Sequence, residues 1–220
     1  MTWRNVLVVL TTALLVGGCA QPIAGTATWP GARLEKVLLT PADFPEGVQY
    51  ERITREPGEA DGAGAPPAML SRPEGRSDGL TRVIADSAER GPGSAAEYLV
   101  AYDGARMVIT VLTWQLDLDR LAAVADRCAE FETFFDSSTP GIPMTTTRME
   151  TPRVDALVYE QTMRLSGTSE SVYFSFENIG DTAVFGIAFP TANQSIPVKG
   201  SLPQTFLEIT AKQADRARLN

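Results

Sequence analysis

Two cysteines, Cys19 and Cys128, are the most reactive side chains in a chain that has no histidine. Without imidazole, Ser-His-Asp and Cys-His catalysis, His-ligated zinc and imidazole pH switching are all excluded. Two thiols are also too few for a four-thiolate metal site or a multi-disulfide scaffold. As a nucleophile Cys128 would need an activating base. It lies instead on an apolar stripe between Ala125 and Phe131, which predicts a buried, inert thiol, with intermolecular disulfide formation as the alternative. Ser195 and Ser201 flank Lys199 as a candidate Ser-Lys pair, but the Pro and Gly around them predict a loop. Asp117 and Asp119 stand at the start of a helical pattern, where negative charge suits the helix dipole better than it suits a metal. Glu160 and Glu177 would share one face if they sit on neighbouring strands, and a solvated sheet face is expected there. Phe174, Phe176, Phe185, Phe189 and Phe206 read as core rather than as a cofactor pocket. No G-x-S-x-G, P-loop, EF-hand loop or Cys-x-x-Cys occurs. The residues therefore assign no catalytic, cofactor-binding or metal-binding position, and a non-enzymatic protein is expected.

Cys19 has its own context. Residues 1–5 carry a single charged side chain, Arg4, and Val6 to Val16 form an uncharged, mostly apolar run of eleven residues. As a helix, that run would cross about half of a ~30 Å hydrocarbon core, so it reads as the apolar region of a signal peptide and not as a membrane span. Val16-Gly17-Gly18-Cys19 follows and resembles the bacterial lipobox. Small side chains let an extended backbone enter a signal peptidase, and the thiol is the nucleophile that takes the diacylglyceryl group. The resemblance implies cleavage between Gly18 and Cys19, a lipidated Cys19, and a protein held at the extracytoplasmic face of the cell membrane. Two or three acyl chains, at ~0.8 kcal/mol per buried methylene, suffice for stable anchoring.

The body that this anchor would hold is acidic. The full chain carries a net charge of −8, and removing residues 1–18 takes Arg4 with it and leaves −9. Such a charge argues against nucleic acid or anionic headgroups as partners. The expected partners are the membrane, through the lipid, and an unidentified protein or small apolar ligand.

The elements that must position any site follow from periodicity. Residues 19–37 read as the lipidated terminus and a tether, and 38–220 as one domain with a mobile Gly/Pro-rich loop at 55–79. Leu80 to Ala85 suggests a short edge strand. Ala96–Tyr102 and Ala105–Trp114 flank Asp103-Gly104, the mark of a two-residue hairpin. From Asp117 to Phe135, apolar residues recur at three- and four-residue steps and predict a helix of about five turns. Alternating runs through Met144–Met149, Leu157–Leu165, Val172–Glu177 and Thr182–Phe189 predict consecutive antiparallel strands. Ser201-Leu-Pro-Gln204 opens a last helix with Phe206 and Ile209 facing inward. The expected fold is α+β: a single antiparallel sheet of about five to seven strands with two main helices packed on one face.

Leu38-Leu-Thr-Pro-Ala-Asp-Phe-Pro-Glu-Gly47 resembles the opening of small mycobacterial and related actinobacterial envelope lipoproteins of unknown function. The stretch from Asp103-Gly104 through Cys128 and Phe131 to the last helix is similar to the extracellular sensor domain of the PknH-type receptor kinases. This resemblance implies a sensor-like domain that binds a ligand or partner in a cleft between sheet and helices. Those sensor domains are disulfide-stapled, whereas Cys128 has no partner once Cys19 carries lipid. Two further readings stand beside it: a carrier of lipid or glycolipid with an apolar pocket between sheet and helices, and an enzyme of unknown class.

Overall fold

The computed structural model describes residues 30–54, 69–91, 93–165 and 167–219, so the expected signal sequence, Gly18 and Cys19 lie outside the described residues. Its helices are α1 (Pro30–Val37), α2 (Arg82–Arg90), α3 (Leu118–Arg127) and α4 (Gln204–Arg218). Its strands are β1 (Gln49–Ile53), β2 (Leu70–Arg72), β3 (Ala95–Tyr102), β4 (Ala105–Leu112), β5 (Glu130–Phe134), β6 (Ile142–Met149), β7 (Ala156–Leu165), β8 (Thr168–Ile179) and β9 (Thr182–Phe189). All nine strands join one antiparallel sheet in the order β1-β3-β4-β9-β8-β7-β6-β5-β2.

Nine strands correct the expected five to seven, and the helices occupy both faces of the sheet rather than one. One face packs Tyr98, Val100, Met107, Ile109 and Val184 against Leu34, Leu38, Phe206 and Ile209 from α1, α4 and the chain just after α1. The opposite face packs Leu112, Leu157, Phe174, Phe176 and Phe185 against Leu80, Val83, Leu116 and Ala125 from α2, α3 and their entry segments. Side chains alternate between faces along a strand. Neighbours such as Val111 and Leu112, or Val184 and Phe185, therefore belong to different cores.

Two of the extra strands were hidden by local pattern. The helix expected from Asp117 to Phe135 stops at Arg127, Cys128 caps it, and the chain re-enters the sheet as β5. Phe131 and Phe135 fit a helical period, but Glu-Phe-Glu-Thr-Phe also alternates with a period of two, and pairing with β6 decides it. Phe135, expected on the inward stripe, is 73% exposed. β2 has only three residues and pairs with β5 from within the expected loop at 55–79, of which 55–68 lie outside the described residues. Leu80–Ala85, expected as an edge strand, leads into α2. The tether expected over 19–37 gives way at Pro30 to α1, which packs near β3 and α4.

The hairpin at Asp103-Gly104 is present, with Tyr102 opposite Ala105. Gly104 has φ 104°, and its N–H donates to the Thr191 carbonyl at 3.0 Å. A Cβ there would lie 2.6 Å from the Gly200 carbonyl oxygen. Strain and clash act together, so Gly104→Val is expected to lower stability by about 2–3 kcal/mol in urea unfolding. An unchanged midpoint would mean that the turn relaxes freely.

Candidate functional site

On the face covered by α2 and α3, the two helices leave a cleft of about 540 Å³ between them, closed at one end by the segment after β2. Apolar side chains from both helices and the β4–α3 connection form part of its wall: Val83, Trp114, Leu116, Leu121 and Val124. Five arginines also line it: Arg76, Arg82, Arg90, Arg120 and Arg127. Local structure explains why they converge. Asp117 accepts a hydrogen bond from the Arg120 backbone N–H at 2.9 Å and caps α3, so Arg120 and Arg127 project from one short helix. Gly79 lets the preceding loop approach α3 closely, because a Cβ there would come within 3.0 Å of Val124 and Cys128. That approach brings Arg76 in from the other side.

The charges in the cleft are unevenly committed. Arg82 pairs with Asp78 at 3.5 Å, and Arg90 lies 4.4 Å above the Trp114 ring as a cation–π contact. Among the described residues, no carboxylate forms an ion pair with Arg76, Arg120 or Arg127. Arg76 Nη1 is buried and has no hydrogen-bond partner.

Cys128 forms part of the wall of this cleft, free and 2% exposed. Its Sγ donates weakly to the Arg76 carbonyl at 3.6 Å. Burial pushes the thiol pKa up, against the pull of the Arg76 and Arg127 charges. Thiolate is scarce under those conditions, so slow reaction with a thiol reagent is expected in the native state and full reaction after unfolding. Rapid stoichiometric labelling of the folded chain would contradict the buried placement.

The other residues singled out in the sequence do not assemble. The Ser195 hydroxyl donates to Asn193 Oδ1 at 2.6 Å, and the Ser201 hydroxyl lies 3.3 Å from Gln204 Oε1. Lys199 contacts neither serine and instead bridges Asp103 through the backbone. Asp119 sits in the first turn of α3, as its dipole role requires. Glu160 and Glu177 share a sheet face but face different partners, Tyr173 and Ala156. Glu160 accepts from the Tyr173 hydroxyl at 3.2 Å. Glu177 is buried, not solvated, and Arg153 grips both of its oxygens at 2.7 Å. Phe174, Phe176, Phe185 and Phe206 are buried in the two cores and Phe189 is half-buried; none of the five lines the cleft. Among the described residues there is no cluster of metal-ligating side chains, and no helix is long and apolar enough to cross a membrane. Sequence reasoning missed the arginine set because its members span residues 76 to 127 and converge only when α2, α3 and the segment after β2 are folded around one cleft. The available signal was the spacing Arg120 to Arg127, two turns along one face of α3.

No family model matches the chain, and no curated protein matches it. Among solved structures, an uncharacterised protein of Mycobacterium smegmatis, described as an Rv0999 ortholog, is similar with a TM-score of 0.45 and 13% identity. The alignment covers 86% of this chain and 95% of that one.

Proposed function

We propose that this chain is an envelope lipoprotein, anchored by lipid on Cys19 at the extracytoplasmic face of the cell membrane, whose domain binds a ligand without transforming it. The sensor-like role follows from the sequence resemblance, and the α2–α3 cleft supplies the binding site. The carrying observation is the cleft itself. It is a concavity of binding-site size with a mixed wall of charged and apolar side chains, in which Arg76, Arg120 and Arg127 form no ion pair among the described residues. The lipid-carrier reading needs a cavity lined by the phenylalanines, and those side chains fill the two cores instead. Of the four carboxylates on the cleft wall, Asp78 pairs with Arg82 and Asp117 caps α3, roles that favour binding over catalysis.

Two measurements test the two halves of this reading. Cys19→Ala is expected to abolish labelling by an alkyne fatty acid and to release the protein from the membrane fraction; a mutant that is still labelled would refute the anchor. Native mass spectrometry of the chain purified from its host is expected to show a co-purifying small molecule that Gly79→Leu, which pushes the loop carrying Arg76 away from Val124 and Cys128 and so distorts the cleft, excludes. Retention of that molecule by Gly79→Leu would place its site elsewhere.

A further inference from the structure

The geometry points to a phosphorylated small molecule with an apolar or aromatic body as the ligand class, with the half-buried Arg76 as the anchor for its headgroup. This inference rests on the cleft being the ligand site.

Three observations converge on it. First, Arg76 Nη1 is buried with no hydrogen-bond partner, and an unsatisfied guanidinium donor away from water is costly. Arg76 lines the cleft, and a turn of its side chain toward that space would bring the donor to an acceptor there. Second, Arg120 and Arg127 line the same cleft and form no ion pair among the described residues. Of the four acids on its wall, Asp78 is paired with Arg82 and Asp117 caps α3, leaving Glu74 and Asp86. Five arginines against four acids give a positive surplus in a chain whose net charge is −8. The surplus of one positive charge favours an anion, and three guanidinium groups without an ion-pair partner among the described residues offer more donors than one carboxylate can accept from, which suits the three acceptor oxygens of a phosphate monoester. Third, part of the wall is apolar. Trp114, whose ring Arg90 overlies, and the leucines and valines beside it offer an aromatic and aliphatic surface for an attached body. Inorganic phosphate alone would leave that surface uncovered.

The test follows tryptophan emission of the full chain, which also holds Trp3 and Trp29, in neutral detergent micelles during titration with phenyl phosphate. Phenol serves as the neutral counterpart, and short-chain phosphatidic acid as the lipid-derived form of the same headgroup. Phenyl phosphate is expected to give a saturable change that Trp114→Phe abolishes, that high salt weakens, and that phenol does not reproduce. Arg76→Gln is expected to weaken it by about tenfold or more, the scale of a lost charge-assisted contact. Should Arg76→Gln fold poorly, Arg127→Gln alters only an exposed side chain and is expected to weaken binding in the same direction. Tighter binding of phenyl phosphate would assign a soluble ligand, and tighter binding of phosphatidic acid a lipid headgroup; both sustain the inference. Equal binding of phenol and phenyl phosphate, unaffected by either arginine variant, would overturn the anionic ligand while leaving the cleft as a binding site. No saturable response to either phosphate probe would also overturn it. A co-purifying neutral molecule, displaced by Gly79→Leu, would then retain the cleft for other chemistry.

Discussion

Gly186→Val is expected to destabilise the domain more than any other single change considered, by about 3 kcal/mol or more. Gly186 lies in the middle of β9, opposite Ile109 on β4 and Ser175 on β8, on the face that α4 covers. A Cβ at that point would stand 2.8 Å from Phe206 Cε2 and 2.9 Å from Thr210 Cγ2. Both partners are buried and hemmed in: Phe206 is fully enclosed, and the Thr210 hydroxyl donates to the Phe206 carbonyl at 3.1 Å. Neither can swing aside without opening the core, so α4 would have to lift from the sheet. Urea unfolding of parent and variant measures the loss. A double variant with Phe206→Leu, which removes the closest atoms, is expected to recover part of it. Equal midpoints for parent and Gly186→Val would show that α4 does not sit as close to β9 as described.

The second large effect is expected at Glu177. Its carboxylate, 5% exposed, receives Arg153 Nε and Nη2 at 2.7 Å each and Arg218 Nη2 at 3.2 Å, while Arg153 also reaches Asp215 at 2.9 Å. The group ties β8 and the loop before β7 to the last turn of α4. Glu177→Ala would strand two guanidinium groups, one of them mostly buried. Removing one partner of a buried pair costs roughly 3–5 kcal/mol. Asp215 remains for Arg153, so a loss near 2–3 kcal/mol is expected here. Glu177→Gln, which keeps the shape and loses the charge, is expected to fall between parent and alanine. A Glu177→Leu, Arg153→Met double variant that regains stability would identify the pair as costly in net terms but unsafe to break. No change in Glu177→Ala would mean that the network is solvated.

The sequence made some elements legible and concealed others for identifiable reasons. The Asp103-Gly104 hairpin and the long alternating strands were plain because their signals lie within ten residues. The inward face of α4, with Phe206 and Ile209, was equally local. Two-sided coverage of the sheet was also written in the chain. β3 is buried along nearly its whole length and β4 is mostly apolar, and strands covered on both faces lose clean alternation. β5 was absorbed into the helix before it because Phe131 satisfies both periods. β2, three residues long, carries no periodic signal at all. The cleft depends on contacts between segments tens of residues apart. Its arginines look like ordinary surface charges until α2 and the loop before it are laid against α3.

One side-chain amide on α4 joins the two ends of the described fold. Gln213 is fully buried; its Oε1 accepts the Leu39 N–H at 3.0 Å, and its Nε2 donates to the Val37 carbonyl at 2.8 Å. Those two backbone groups emerge from the ribosome 174 residues before the amide that satisfies Leu39. At ~5–20 residues per second, the wait is about 9–35 s. Until then the Leu34, Leu38 and Leu39 side chains have no α4 to pack beside, and the segment stays exposed to whatever holds or cleaves unfinished chains. Docking of α1 is thus a late event in biosynthesis, and a nascent chain stalled before residue 213 leaves Pro30–Val37 without the helix that it packs beside.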